Sequence, residues 1–234
     1  HKIKYMEWSD YMKLLSIQIA LFTKEILSWP DLILTDVNSK LGSIFDAMPN
    51  ILNLPPEVPA EIPLVQARST NGLYALNVSR NRVDFMISPQ YEEDSLPSEL
   101  FKKYRPQMDK YCKSVINITD LVRIGVIITL FHETENNIMA IYDKYLNIPY
   151  SNDCTEINFR MNRQKIIKGI VYNNIKTVQA AELHVGSTSH KGVIIQLDTN
   201  NIPEDNKEIS DSIIANMLNQ VAGKIKPGEI KELI

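Results

Sequence analysis

Apolar and polar residues alternate along several segments of this chain, and a period of two is typical of half-buried β-strands. Strands are predicted over residues 14–22, 64–68, 73–79, 82–88, 121–131, 157–161 and 192–198. In the first of these segments, Leu15, Ile17, Ile19 and Leu21 are expected to share the buried face. The dipeptide at 71–72 is Asn-Gly, a strong hairpin turn signal, so the second and third segments are expected to pair.

Other segments repeat their apolar residues every three or four positions, as amphipathic helices do. Helices are predicted from an N-cap at Asp36 to Met48, from a cap at Ser98 to Val115 with an interruption at Pro106, over 134–145, and over 208–224. Five prolines between residues 49 and 63 predict an extended surface connector, because proline fixes φ and lacks an N–H donor.

The stretch from 166 to 184 is ambiguous. Its β-branched residues favour two strands that turn at Asn173-Asn174, whereas its apolar residues also fall near helical spacing. Strands are the preferred interpretation.

Taken together, the segments predict an α+β fold: a mostly antiparallel sheet with helices packed on one face. The first half follows the order β-α-β-β-β-α, and the second half repeats it if 166–184 is mainly strand, which suggests a tandem duplication with an offset of roughly 100–110 residues. The predicted division is an N-terminal extension or tag remnant at 1–12, a first half at 13–118 and a second half at 119–234, with both halves allowed to form one continuous domain.

Composition narrows the functional class. The 234 residues are 44% hydrophobic and 23% charged, which is typical of globular proteins, and the net charge is −3. A dedicated nucleic-acid-binding protein usually carries a large basic excess, so that class is not favoured. Two cysteines in a chain of this length predict reduced thiols and a cytoplasmic location, and no segment reaches the roughly 20 apolar residues of a membrane span.

Histidines give weak candidates for a metal site. His132, His184 and His190 could share a metal if the fold brought them together, with Glu133 or Asp198 as a further ligand. The sequence His132-Glu133-Thr134-Glu135 lacks the second histidine of a zinc protease helix. No metal and no cofactor is therefore predicted.

Basic residues give a candidate surface for an anion or a partner. One set lies in the second half, at Arg160, Arg163, Lys165 and Lys168, and the other in the first half, at Arg68, Arg80 and Arg82. If both sets lay on one sheet face, that face would attract RNA, DNA or an acidic partner. The alternative is that these charges keep the strand surface soluble and protect its edges.

No catalytic residue is predicted, because the chain contains no nucleophile elbow, phosphate-binding glycine loop or complete metal motif. The preferred hypothesis is a non-enzymatic protein that acts through a surface, with a protein partner or a second copy of itself. The alternative is a nucleic-acid-binding protein or a metal-dependent phosphoesterase or nuclease that uses the basic strand and the histidines.

Overall fold

The computed structural model describes residues 12–91, 94–146, 153–203 and 208–233. In chain order the elements are β1 (Met12–Thr23), α1 (Pro30–Lys40), β2 (Asn50–Ile51), β3 (Val65–Arg68), β4 (Tyr74–Val78), β5 (Arg82–Ile87), α2 (Pro97–Ile116), β6 (Leu121–Glu133), α3 (Asn137–Tyr145), β7 (Asn158–Ile167), β8 (Ile170–Val185), β9 (Thr188–Asn201), α4 (Asp211–Lys224) and α5 (Pro227–Lys231). Residues 1–11 of the predicted extension lie outside the described residues, and Met12 already belongs to β1.

The described strands form one antiparallel sheet in the order β2-β3-β4-β5-β1-β6-β9-β8-β7. The prediction of an α+β fold with an antiparallel sheet and helices on one face is confirmed. We call the side that packs against the helices the helix face, and the opposite side the open face. The central strands β1 and β6 pair along their length, so the sheet runs continuously through both predicted halves.

Strand order is mirrored about this central pair. In the first half β1 is followed outward by β5, β4 and β3, and in the second half β6 is followed by β9, β8 and β7. Each half also has a helix after its central strand and another after its last strand. Descent of the two halves from a duplicated unit stays a prediction.

Aromatic residues fill the core beneath the helices of the first half. Phe85 of β5 lies 5.0 Å from the Tyr111 ring of α2 and 5.9 Å from the stacked Tyr74 ring, with Phe45 edge-on at 6.1 Å. The Tyr111 hydroxyl donates to the Val83 carbonyl at 2.7 Å, so its only polar group is satisfied.

A β-bulge near the start of β1 changes which residues face the core, so the predicted buried face is wrong before the bulge. The pairing with β6 shifts between Leu14 and Ser16, so Leu14 is buried, whereas Leu15 is only half-buried. Beyond the bulge Ile17, Ile19 and Leu21 point inward as predicted. One extra residue in a strand reverses its alternation, which a period-two pattern does not reveal.

The predicted helix starts at Asp36 and Ser98 are wrong. Helix α1 begins at Pro30 and α2 at Pro97, because proline suits the first turn of a helix, where its missing N–H costs nothing. Pro106 lies inside a single helix rather than between two. Met48, predicted to face the core, is 97% exposed.

The stretch 166–184 is extended, as preferred, but its turn lies elsewhere. Ile167 pairs with Ile170, and the two residues between them, Lys168 and Gly169, have φ values of 52° and 76°. This geometry closes a tight two-residue hairpin, so Asn173 and Asn174 lie within β8. In the part of the chain that the structure describes, no helix is both long and apolar enough to cross a bilayer.

Candidate functional site

A row of small and amide side chains crosses the open face from one edge of the sheet to the other. It follows residues paired from strand to strand, namely Asn50, Gln66, Asn77, Asp84, Ala20, Gly125, Asn200, Asn173 and Gln164. Ala20 and Gly125 at its centre are small, and the positions outward from them are polar in both halves. We call this feature the amide row.

In the second half the amide row is internally hydrogen-bonded. Asn162 and Gln164 each donate to Asn173 Oδ1, at 3.0 and 3.1 Å. Asn173 donates to Asn200 at 3.1 Å, and Asn200 donates to the Asp198 carboxylate at 2.9 Å. The chain fixes the orientation of these side chains, so a ligand on this part of the face would meet preorganised amides rather than mobile ones.

In the first half the row contains a buried acid. Asp84 is 3% exposed, accepts from Gln18 at 3.0 Å and pairs with Arg82 at 2.7 Å. Burial raises the pKa of Asp84 above its usual value, and Arg82 and Gln18 oppose that rise. The Arg82 and Arg123 guanidinium carbons lie 5.6 and 4.9 Å from the Phe22 ring centroid, so this end of the face holds two cations against one aromatic ring.

The three histidines are not brought together. By strand alternation His132 and His184 lie on the helix side and His190 on the open side. His190 bonds Glu133 at 2.8 Å, and the Tyr91 hydroxyl donates to Glu133 at 3.2 Å. Within the described residues no group of three His, Cys, Asp or Glu side chains has metal-binding geometry.

A cleft of about 540 Å³ opens beside His132, between the end of β6, α3 and α5. Its lining residues are His132, Thr134, Asn136, Met139, Ala140, Asp143, Lys144 and Lys231. Burial lowers the pKa of His132 and so favours its neutral form. The volume suits a small ligand, but the charged residues of its lining are of both signs and define no single chemistry.

The basic residues predicted in the first half serve partly as structural ties. Arg80 donates to the carbonyls of Pro56 and Val58, so it anchors the proline-rich connector to the sheet. Arg82 pairs with Asp84 on the open face, and Arg68 lies exposed on the same face near the β2 edge.

The basic residues predicted in the second half lie on both faces of the edge strand β7 and in its turn. Arg160 is exposed on the open face, whereas Arg163 and Lys165 alternate to the helix side and Lys168 lies in the hairpin turn. Six strands separate Arg68 on β3 from Arg160 on β7, a distance of roughly 30 Å. The structure therefore places the two basic sets in different halves of the sheet, and of their members on the described strands only Arg68, Arg82 and Arg160 lie on the open face.

Exposed apolar side chains concentrate in the segment between β1 and β3, which includes the edge strand β2. Among the described residues eight of eleven exposed large apolar side chains lie between residues 26 and 62, namely Ile26, Trp29, Leu32, Met48, Ile51, Leu52, Leu54 and Ile62. We call this set the apolar edge. Residues 47–52 run along β3 in a hydrogen-bonded pairing, and Arg80 joins residue 60 to residue 27 through its backbone groups.

The apolar edge has a signal in the sequence. Trp29 stands in an uncharged run beside proline. The amide row had no signal in the sequence, because its members are neighbours only through strand register.

No protein-family model matches this chain. No curated protein matches it either.

Proposed function

We propose that this protein is a non-enzymatic assembly protein that binds a second copy of itself through the apolar edge. The observation that carries the proposal is the exposure of these side chains: Trp29 is 69% exposed, Ile51 59% and Met48 97%. Monomeric proteins rarely leave such a concentration of large apolar groups in water, and aromatic residues commonly anchor interfaces.

Two uncharged stretches of the apolar edge support self-association. Residues 26–30 and 47–56 contain no charged side chain, so two copies can meet there without repulsion between like charges. The opposite edge does not have this property. The edge strand β7 carries Arg160, Arg163 and Lys165, so two copies that met there would bring like charges together.

The fold gives this edge a stable shape. The connector is held by the Arg80 bonds to Pro56 and Val58 and by the bond from the Leu52 amide to the Leu64 carbonyl. A preordered surface loses little conformational entropy on binding, which favours association.

The proposal has two further parts, which concern the origin of the fold and the location of the protein. The mirrored strand order supports descent from a duplicated β-α-β-β-β-α unit. The two free cysteines, Cys112 buried and Cys154 half-buried, support a reducing, cytoplasmic location.

The test is sedimentation velocity from about 1 to 100 µM, since association depends on concentration. The native protein is expected to shift from monomer to dimer. Trp29→Asp and, separately, Ile51→Asp are expected to weaken dimerisation at least tenfold, because each places a charge in an apolar contact. Both positions are exposed, so the fold of the monomer should be retained.

Ile166→Asp is the matched control, because Ile166 is 71% exposed but lies on the opposite edge strand β7. It should leave the dimerisation constant unchanged. A native protein that stays monomeric over the whole range, or an Ile166→Asp variant as impaired as Trp29→Asp, would contradict the proposal.

A further inference from the structure

Four cationic residues lie on the helix face of the second half, far from the apolar edge. Arg163 and Lys165 lie on β7, Lys176 on β8, and Lys224 in the last turn of α4. Arg163 is paired with Asn174, the residue that Lys224 contacts, and Lys176 follows two positions later on the same face of β8. We call these four residues the cation cluster.

Lys224 reaches from α4 down to the sheet. Its ammonium group donates to Asn174 Oδ1 and Thr199 Oγ1, both of them neutral acceptors, and its side chain is half-buried. Burial lowers the pKa of Lys224 to about 8. The charge of Asp198 opposes this shift, and that of Lys165 adds to it.

Lys176 has a similar environment. Its ammonium group donates to the Tyr145 hydroxyl at 3.3 Å and lies 4.6 Å from the centre of the Tyr145 ring. Burial lowers the pKa of Lys176, and the nearby charges of Arg163 and Lys144 lower it further. Both lysines are thus removed from water in the presence of other cations.

Among the described residues, no carboxylate lies within 4 Å of the Lys176 or Lys224 ammonium group. Asp198, whose charge raises the pKa of Lys224, points to the open face on the other side of the sheet. Buried charges in proteins are normally paired, because removing an ion from water is costly. Several cations held by neutral acceptors leave a positive charge that a bound anion would neutralise.

We propose that the cation cluster binds a small phosphate-bearing anion between Lys176 and Lys224, with Arg163 and Lys165 at the rim. A phosphate group carries close to two negative charges and three acceptor oxygens, which matches several converging N–H donors. The half-buried position of the two lysines beneath α3 and α4 favours a small molecule over a nucleic-acid backbone, which needs an exposed groove. This inference concerns another surface and is independent of the proposed self-association.

The test is isothermal titration calorimetry with inorganic phosphate and with pyrophosphate, at constant ionic strength in a chloride buffer and up to about 10 mM ligand. The native protein is expected to bind, pyrophosphate more tightly than phosphate. Lys224→Met and Lys176→Met should each weaken binding at least tenfold, because each removes a charge-assisted hydrogen bond. Both variants replace a buried cation by an apolar chain, so circular dichroism should show them folded.

Lys113→Met is the matched control, since Lys113 occupies the last turn of α2, the equivalent helix of the first half, but is exposed. It should bind phosphate as the native protein does. Three results would overturn the proposal: no binding of either anion by the folded native protein, equal losses in Lys113→Met and Lys224→Met, or sulfate binding as tightly as phosphate and pyrophosphate. Salt-sensitive binding of a labelled single-stranded oligonucleotide that depends on Lys224, without phosphate binding, would overturn it in favour of a nucleic-acid site.

Discussion

Two equivalent places on the helix face are filled by different chemistry. Beside the central strand of the first half, Phe85 lies under Tyr111 of α2. Beside the central strand of the second half, Thr199 lies under Lys224 of α4. The first place completes an apolar core, whereas the second holds a desolvated cation. The same position in the fold thus contributes to the apolar core in the first half and holds polar groups in the second, as natural proteins commonly do at functional sites.

Phe85→Ala should have the largest effect, because it removes a fully buried ring that contacts three other aromatic rings. We expect the free energy of unfolding to fall by about 3–5 kcal/mol in urea denaturation. Phe22→Ala, on the open face of the same half, should cost clearly less, since Phe22 is only half-buried. Equal losses would contradict the assignment of the aromatic core as the main source of stability.

Gly192→Ala tests how closely the strands of the second half pack at a point away from Lys224. A Cβ at Gly192 would meet the His132 carbonyl and lie 2.5 Å from Phe131 Cζ, so the strands would have to shift. We expect a loss of roughly 1–3 kcal/mol in thermal or urea unfolding. Gly125→Ala is the control, because its Cβ would lie 3.6 Å from Asn200 Cβ, an ordinary contact. A Gly192→Ala protein as stable as Gly125→Ala would show that this end of the sheet yields easily.

Lys224→Met tests how Lys224 affects the pH dependence of folding stability. The folded-state pKa of Lys224, about 8, is below the usual 10.5, so the native state releases its proton first as pH rises. The unfolded state then binds more protons, and native stability should increase between pH 8 and 10.5, by on the order of 1–3 kcal/mol. Urea unfolding at several pH values should show this rise for the native protein and for Lys113→Met, but not for Lys224→Met. An unchanged pH slope in Lys224→Met would mean that another group is responsible.

His190→Ala should have the smallest effect. The hydrogen bond from His190 is the main reason that the pKa of Glu133 lies below its usual value, with Tyr91 and Lys13 contributing less. This pairing stabilises the fold above the usual glutamate pKa, and the benefit is lost as pH falls through the lowered value. Since Glu133 is exposed, we expect a loss below about 0.5 kcal/mol and a rise of the Glu133 pKa in a carboxyl NMR titration. His184→Ala, on the other side of the sheet, should leave that pKa unchanged.

Much of the fold could be predicted from sequence because alternation is a local signal. Strands β3, β4 and β5 lie within one residue of the predicted segments, and β6 begins at the predicted residue and extends two residues further than predicted. Errors arose where one residue decides between alternatives. Pro30 and Pro97 begin the helices that were predicted to start at Asp36 and Ser98. Lys168 and Gly169 form the hairpin turn that was predicted at Asn173-Asn174.

The candidate sites were harder to predict, because each depends on residues brought together by register. Asn173 and Asn200 are 27 positions apart, and Lys224 meets Asn174 across 50. Residue type alone suggested Arg163 and Lys165 as members of a basic surface. It could not indicate that strand alternation places them opposite Arg160, on the side of Lys176 and Lys224.

The position of β1 also governs the order in which the molecule can assemble. This strand lies at the centre of the sheet, yet its partners β5 and β6 begin about 60 and 100 residues later in the chain. During synthesis the two edges of β1 must wait for these partners, and closing such long loops before any pairing is gained makes folding slow. A ribosome-bound chain ending before residue 121 would expose one edge of β1, an attractive template for other nascent strands. Chaperone dependence during translation, rather than low final stability, is the expected cost of placing the first described strand in the middle.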